Sequence, residues 1–179
     1  MKWTGLWALL LLALVQGADA GQRLRIVSLA PSLTELAYAA GAGDAMVGTV
    51  EYSDYPAAAR ALPRVGDAWS VDAEAVLALR PDLVLSWPSG TPAGTVARLR
   101  SLGVEVVEIP TFRLADVATA LRSVGRIAGT EVVAEEAARK YEADIRDLRA
   151  SHAGARRVGV FVEIDDEPLY TVNGRHVIS

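Results

Sequence analysis

Cysteine is absent from the 179 residues, and aromatic side chains make up only 6% of them. Without cysteine there is no disulfide framework and no thiolate to hold zinc or act as a nucleophile. The usual lipid-attachment residue is also missing, so a product exported through a cleaved leader is expected to be soluble rather than lipid-anchored. Basic clusters are missing as well. The net charge is −4, and Arg156-Arg157 is an isolated pair, far too little for a phosphate-tracking, nucleic-acid-binding surface. Histidine occurs twice, at His152 and His176, without metal-ligand spacing. No Gly-x-Ser-x-Gly is present, and Gly41-Ala42-Gly43 follows a helix instead of a strand, the wrong setting for a dinucleotide loop. Asp165-Asp166-Glu167 reads as a solvated turn. No catalytic constellation remains, and the chain is not expected to be an enzyme.

The first twenty residues, MKWTGLWALLLLALVQGADA, carry Lys2, an apolar run from Leu6 to Val15 and Ala18-Asp19-Ala20 as a small-x-small cleavage site. The apolar run is too short to cross a bilayer comfortably as a helix. A secretory signal peptide over residues 1–20 is the expectation, with a mature chain starting at Gly21 in the periplasm.

Beyond the leader, short apolar runs alternate with helical stretches, the pattern of an α/β fold with a parallel sheet and crossover helices. Strands are expected at Arg25–Leu29, Ala45–Val50, Leu83–Ser86 and Val104–Ile109. Between them, Ser32 and Glu35 fit a capping box that opens a helix running to Gly41. Asp72 opens a short helix through Leu79, and Thr91-Pro92 reads as the cap and first residue of the next, which ends near Leu102-Gly103. A helix of period 3.6 covers Leu114–Ala128. Residues 21–129 thus form one α/β lobe.

From Thr130 to His152 no glycine or proline occurs. One helix on the order of 33 Å long is expected there. A strand at Val158–Ile164 and an Asn173-Gly174 turn signal come after it. Ser179 ends the sequence fifteen residues past that strand, so residues 157–179 read as the beginning of an incomplete second α/β lobe.

The few aromatics are unevenly placed. Five of the nine beyond the leader fall in expected loops, and four of these, Tyr52, Tyr55, Trp87 and Phe112, lie just past the carboxyl end of a strand. Trp69 precedes the Asp72 helix. Ligands of open parallel sheets sit at that edge, and flat apolar ligands are gripped by aromatic faces. Tyr52, Tyr55, Trp69 and Trp87 are therefore the candidate ligand-binding residues. Phe112 is a weaker candidate, able instead to pack on the helix after it. EYSDYP, residues 51–56, is at its plainest a turn built on Asp54 and Pro56.

RIVSLAPSLTELAYAAG, YSDYP, VDAEAVLALRPDLVLSW and SLGVEVV, in this order and spacing, resemble the periplasmic substrate-binding proteins of iron-siderophore and vitamin B12 ABC importers. YSDYP resembles the cobalamin-binding branch in particular. PLYTVNGRHVIS is similar to the start of that family's second lobe. The resemblance implies two α/β lobes joined by one long helix, with a corrinoid held between them by Tyr52 and the Trp69 and Trp87 loops. It also implies that Glu74 docks the protein, a monomer, onto the inner-membrane permease, although Glu74 can equally be a first-turn acid favoured by the helix dipole. Trp69 stands one place away from the aromatic position of the family pattern. Cobalamin is the expected cargo and not a catalyst's cofactor. The alternatives are a ferric siderophore or haem, or a one-lobe remnant that binds nothing. Anionic siderophores call for arginines, of which only Arg113 is near the aromatic loops.

Overall fold

The computed structural model describes residues 23–67, 69–166 and 169–171. The leader, the Asn173-Gly174 turn signal and His176 lie outside the described residues. Four parallel strands, β1 (Ile26–Ser28), β2 (Met46–Gly48), β3 (Leu83–Ser86) and β4 (Val106–Glu108), form one sheet in the order β2-β1-β3-β4. Every β1 residue and every β3 residue is buried. That follows from covering a parallel sheet on both faces, so its central strands read as continuous apolar runs.

Strand alternation divides the core into two halves. Ile26, Leu83 and Leu85 face a cluster with Leu33 and Ala37 of α1 (Pro31–Ala39), Leu121 and Val124 of α4 (Leu114–Ala128), and Ala134 and Ala138 of α5 (Glu131–Ser151). Val27, Val84 and Val106 face the opposite cluster, with Val76 of α2 (Ala73–Ala78) and Val96 and Leu99 of α3 (Ala93–Ser101). The chain passes from β1 through α1 to β2 on one side, then through α2 back across β1 to β3. The order therefore reverses between β1 and β3, and a crevice opens at such a point beyond the carboxyl ends.

α5 has 21 residues, about 31 Å at 1.5 Å per residue. Its first half lies along α4 with little room between them: a Cβ at Gly125 would fall 2.2 Å from the Ala134 Cβ. Arg122 of α4 crosses this seam to Glu135 at 2.6 Å and Glu142 at 2.7 Å, and Arg139 reaches Glu135 at 2.7 Å. The second half of α5 leaves the core and exposes Leu148.

Three local expectations need correction. α1 starts two residues earlier than the capping box implies: Pro31 is the first helical residue, Ala30 is the cap, and no side chain caps the helix. Pro31 has a preset φ and no N–H to satisfy, so it takes the first helical place and moves Ser32 into the helix. At α3, Pro92 is the cap, and the Thr91 hydroxyl accepts from the Trp87 N–H at 3.1 Å instead. The strand expected from Val158 starts only at β5 (Glu163–Asp166), paired antiparallel with β6 (Leu169–Thr171). Val158, Val160 and Phe161 are exposed and outside any strand, with no partner strand among the described residues. β-propensity acts through packing against neighbours, and the described residues supply none here.

Candidate functional site

The loop after β2 is fixed from beneath. Thr34, Thr49 and Ser53 are all buried, and their hydroxyls form a chain, with Thr34 and Thr49 2.6 Å apart and Thr49 and Ser53 2.8 Å apart. Thr34 also donates to the Ala30 carbonyl at 3.2 Å. The chain joins α1 to the EYSDYP loop where apolar contact could not reach. Outside it, Arg64 donates to the Ser53 and Ala59 carbonyls at 3.2 and 3.1 Å, and Arg60 donates to the Asp54 carbonyl at 3.0 Å, so Arg113 is not, as the sequence had implied, the only arginine beside the aromatic loops. Buried polar groups satisfied this completely define one loop geometry. Within it Tyr52 has φ +64°, in the left-handed region, and the Tyr55-Pro56 peptide is cis.

Trp87 directly follows β3 and is anchored by a tight turn. Its carbonyl accepts from Gly90 at 3.0 Å and Thr91 at 2.7 Å. The ring is partly buried against the α1/α4 cluster. The Trp69 loop has its own brace, because Asp67 Oδ1 accepts from the Trp69 and Ser70 N–H groups at 2.8 and 2.7 Å. Those bonds, Ser70's first and Trp69's second, hold the Asp67 carboxyl below its ordinary pKa.

A hollow of about 450 Å³ lies at the carboxyl edge. Its walls are Trp87 and Tyr55, the outer stripe of α1 (Ser32, Glu35, Leu36 and Ala39), Thr111 beyond β4, and Val117 of α4. Two of the four aromatic candidates, Tyr55 and Trp87, thus share one cavity. Tyr52 and Trp69 are not among its lining residues; they stand on the surface, 81% and 80% exposed, with Tyr55 at 69%. Phe112, next to Thr111, is half exposed.

Reading Ser32 and Glu35 as a cap missed the α1 wall. The signal that finds it is spacing: positions 32, 35, 36 and 39 follow the i, i+3, i+4, i+7 rule and form one helical face. Glu74 sits in the first turn of α2, exposed, on the sheet face opposite the α1/α4 cluster. Asp72 caps that turn, accepting from the Glu74 and Ala75 N–H groups at 2.8 and 3.0 Å. The Glu74 carboxylate takes part in no ion pair among the described residues. The described residues also contain no group of three or more His, Cys, Asp or Glu side chains able to hold a metal.

An open, largely apolar cavity with an aromatic wall and hydroxyl-fixed loops is suited to holding a bulky, flat solute. Comparison with known proteins agrees with a binding fold. The vitamin B12-binding protein of Vibrio cholerae serotype O1 is 36% identical over 152 residues, 85% of this chain and 55% of that protein. The protein of the same name from Yersinia pestis is 34% identical over 155 residues, covering 87% and 55%. Among solved structures, the periplasmic vitamin B12 binding protein of Vibrio cholerae gives a TM-score of 0.79 at 36% identity, over 85% of this chain and 60% of that one. A periplasmic heme binding protein from Pseudomonas aeruginosa gives 0.68 at 30% identity, over 76% and 51%. The chain spans about half the length of the curated relatives it matches. Residues 26–177, from the first strand of the sheet to beyond the β5-β6 hairpin, match the periplasmic binding protein family, and the chain belongs to it.

Proposed function

We propose that this chain supplies the ligand-gripping lobe of a binding protein that captures cobalamin, or a related corrinoid, outside the inner membrane and delivers it to an ABC importer. The observation that carries the reading is the hollow in which Trp87 and Tyr55 meet the outer face of α1. A corrin ring is broad and flat, and aromatic faces on a rigid loop hold such a ring with little ordering cost. Relatives 33–36% identical carry the name vitamin B12-binding protein, which supports the same cargo. Tyr52 and Trp69, exposed at the same rim in this reading, close on the ligand from outside the hollow. Residues 1–20 act as the export signal, and Glu74 docks on the permease. Residues 21–129 are the first lobe, the helix over 130–152 leads out of it, and 157–179 begin a second that covers the ligand from the other side.

Haem is the second reading, favoured by the heme-binding structural neighbours. One titration separates the two. The exported, purified protein is titrated with cyanocobalamin and, in parallel, with haemin, following tryptophan emission corrected for ligand absorption. Cyanocobalamin should quench the parent at tens of micromolar or below, and Trp87→Ala should weaken that response by about tenfold or more. Saturation by haemin alone would exchange the two readings. No response to either ligand would leave neither standing.

A further inference from the structure

A residue that touches no ligand sets the position of the principal aromatic wall. Gly90 lies in the turn between β3 and α3, with its N–H bonded to the Trp87 carbonyl at 3.0 Å. A Cβ built there would lie 2.4 Å from Cε3 and 2.7 Å from Cζ3 of the Trp87 ring, against its benzo edge. Neither atom is backbone. The φ of Gly90 is outside the positive region, unlike those of Gly41, Gly66, Gly103 and Gly129, so the backbone alone would accept alanine here. What demands glycine is the space occupied by the indole.

The ring is thereby held on two sides. One side packs on the α1/α4 cluster, and the benzo edge rests in the notch above Gly90. The remaining surface faces the hollow with Tyr55. The geometry points to Gly90 as a positioning residue: its missing side chain is the seat that aims Trp87 into the cavity, and filling the seat moves the wall. Its consequence for a corrinoid rests on the proposed function; the seat itself does not. Ordinary carbon contact begins at about 3.4 Å, so an alanine methyl would drive the benzo edge away by about 1 Å or rotate the ring out of its place. The only other outlet is into the packed cluster, which has no room to yield.

The experiment is a double-mutant cycle on the purified protein with Gly90→Ala, Trp87→Phe and the pair, and Gly94→Ala as control. Gly94, the second residue of α3, has nothing within 4 Å of its would-be Cβ. Gly90→Ala should alter the near-UV circular dichroism and emission of the ligand-free protein. It should also weaken cyanocobalamin binding by about tenfold, the scale of one displaced aromatic face. In the Trp87→Phe background, which lacks the fused ring, the effect of Gly90→Ala should shrink below about twofold. Gly94→Ala should leave spectra and affinity at parental values. A Gly90→Ala chain that fails to fold and is restored by Trp87→Phe leads to the same conclusion.

Unchanged spectra in Gly90→Ala would overturn the seat. So would an equal loss of affinity in both backgrounds, or a chain that stays unfolded when Trp87 is replaced. If the parent binds no cyanocobalamin, the corrinoid reading fails, and the ligand-free spectra still decide whether the seat exists.

Discussion

Thr49→Val tests whether the ligand-side loop is held by hydroxyls. Valine reproduces the shape of threonine, so the packing around this fully buried residue is kept and only the hydroxyl is lost. Two bonds disappear, to Thr34 at 2.6 Å and to Ser53 at 2.8 Å. Ser53 is left with one long approach from Thr34 at 3.5 Å, while Thr34 retains the Ala30 carbonyl at 3.2 Å. At about 1 kcal/mol net for each bond, and about 1 kcal/mol more for the stranded Ser53 hydroxyl, the loss comes to roughly 3 kcal/mol. For a chain of this size that lowers the thermal midpoint by roughly 6–12 °C. Circular dichroism melts and urea titrations of the ligand-free protein measure it directly. The triple variant Thr34→Val, Thr49→Val, Ser53→Ala removes every hydroxyl of the chain and leaves none stranded, so it should cost less than the sum of its single changes. A Thr49→Val midpoint within about 1 °C of the parent would show that the loop rests on something else.

Two further outcomes follow from charge. Arg122 and Arg139 hold the Glu135 carboxyl down to about 2, and the Glu142 carboxyl is lowered by Arg122 as well. A carboxylate with a depressed folded pKa stabilises fully above its unfolded value, near 4.5, and loses that contribution as pH falls toward 2. The thermal midpoint of the parent should therefore drop between pH 5 and 2 more steeply than that of Glu135→Gln; parallel profiles would remove the α4-α5 clamp from acid stability. Separately, Glu74→Arg should leave cyanocobalamin binding unchanged, because Glu74 lies on the sheet face away from the α1/α4 cluster. It should cut uptake of the vitamin in cells by about tenfold or more, the scale of one reversed charge at a docking surface. Normal uptake would remove Glu74 from the docking surface.

The sheet was legible because its evidence is compositional and repeated. Leu83–Ser86 and Leu114–Ala128 match their expected bounds to the residue, since a continuous apolar run and a long 3.6 period admit few other structures. Trp87 and Tyr55, singled out by the carboxyl-edge rule, both line the cavity. Side-chain direction within a loop was not legible. Tyr52 and Tyr55 are three residues apart, yet only Tyr55 lines the hollow, and the left-handed φ of Tyr52 is not written in any spacing. The α1 wall stayed hidden for another reason. Ser32 and Glu35 satisfied a capping rule so well that their place on a helical face went unread, and Pro31 alone decided between the two. Val158–Val162 shows the limit of strand propensity, which specifies a surface willing to pair but not the presence of a partner.

These particulars share one physical step. Tyr52, Tyr55 and Trp69 are exposed and Trp87 is only partly buried, so apolar burial alone cannot order the rim; the rings are placed by what lies beneath them. The Thr34-Thr49-Ser53 chain and the two arginine braces fix the backbone of the tyrosine loop. The Thr91 hydroxyl, two turn N–H groups and the notch at Gly90 fix Trp87. Ordering a rotamer-rich loop at the moment of binding costs roughly 0.5–1.5 kcal/mol per side chain. A rim already ordered by buried hydroxyls avoids most of that cost. It follows that affinity should be sensitive to residues the ligand never reaches. Thr49 and Gly90 should weaken binding by different routes, the first by releasing the tyrosine loop, the second by turning one ring. The loss from Gly90→Ala should therefore vanish in the Trp87→Phe background while the loss from Thr49→Val remains; a Thr49→Val loss that vanished there too would mean that the two act on the same ring.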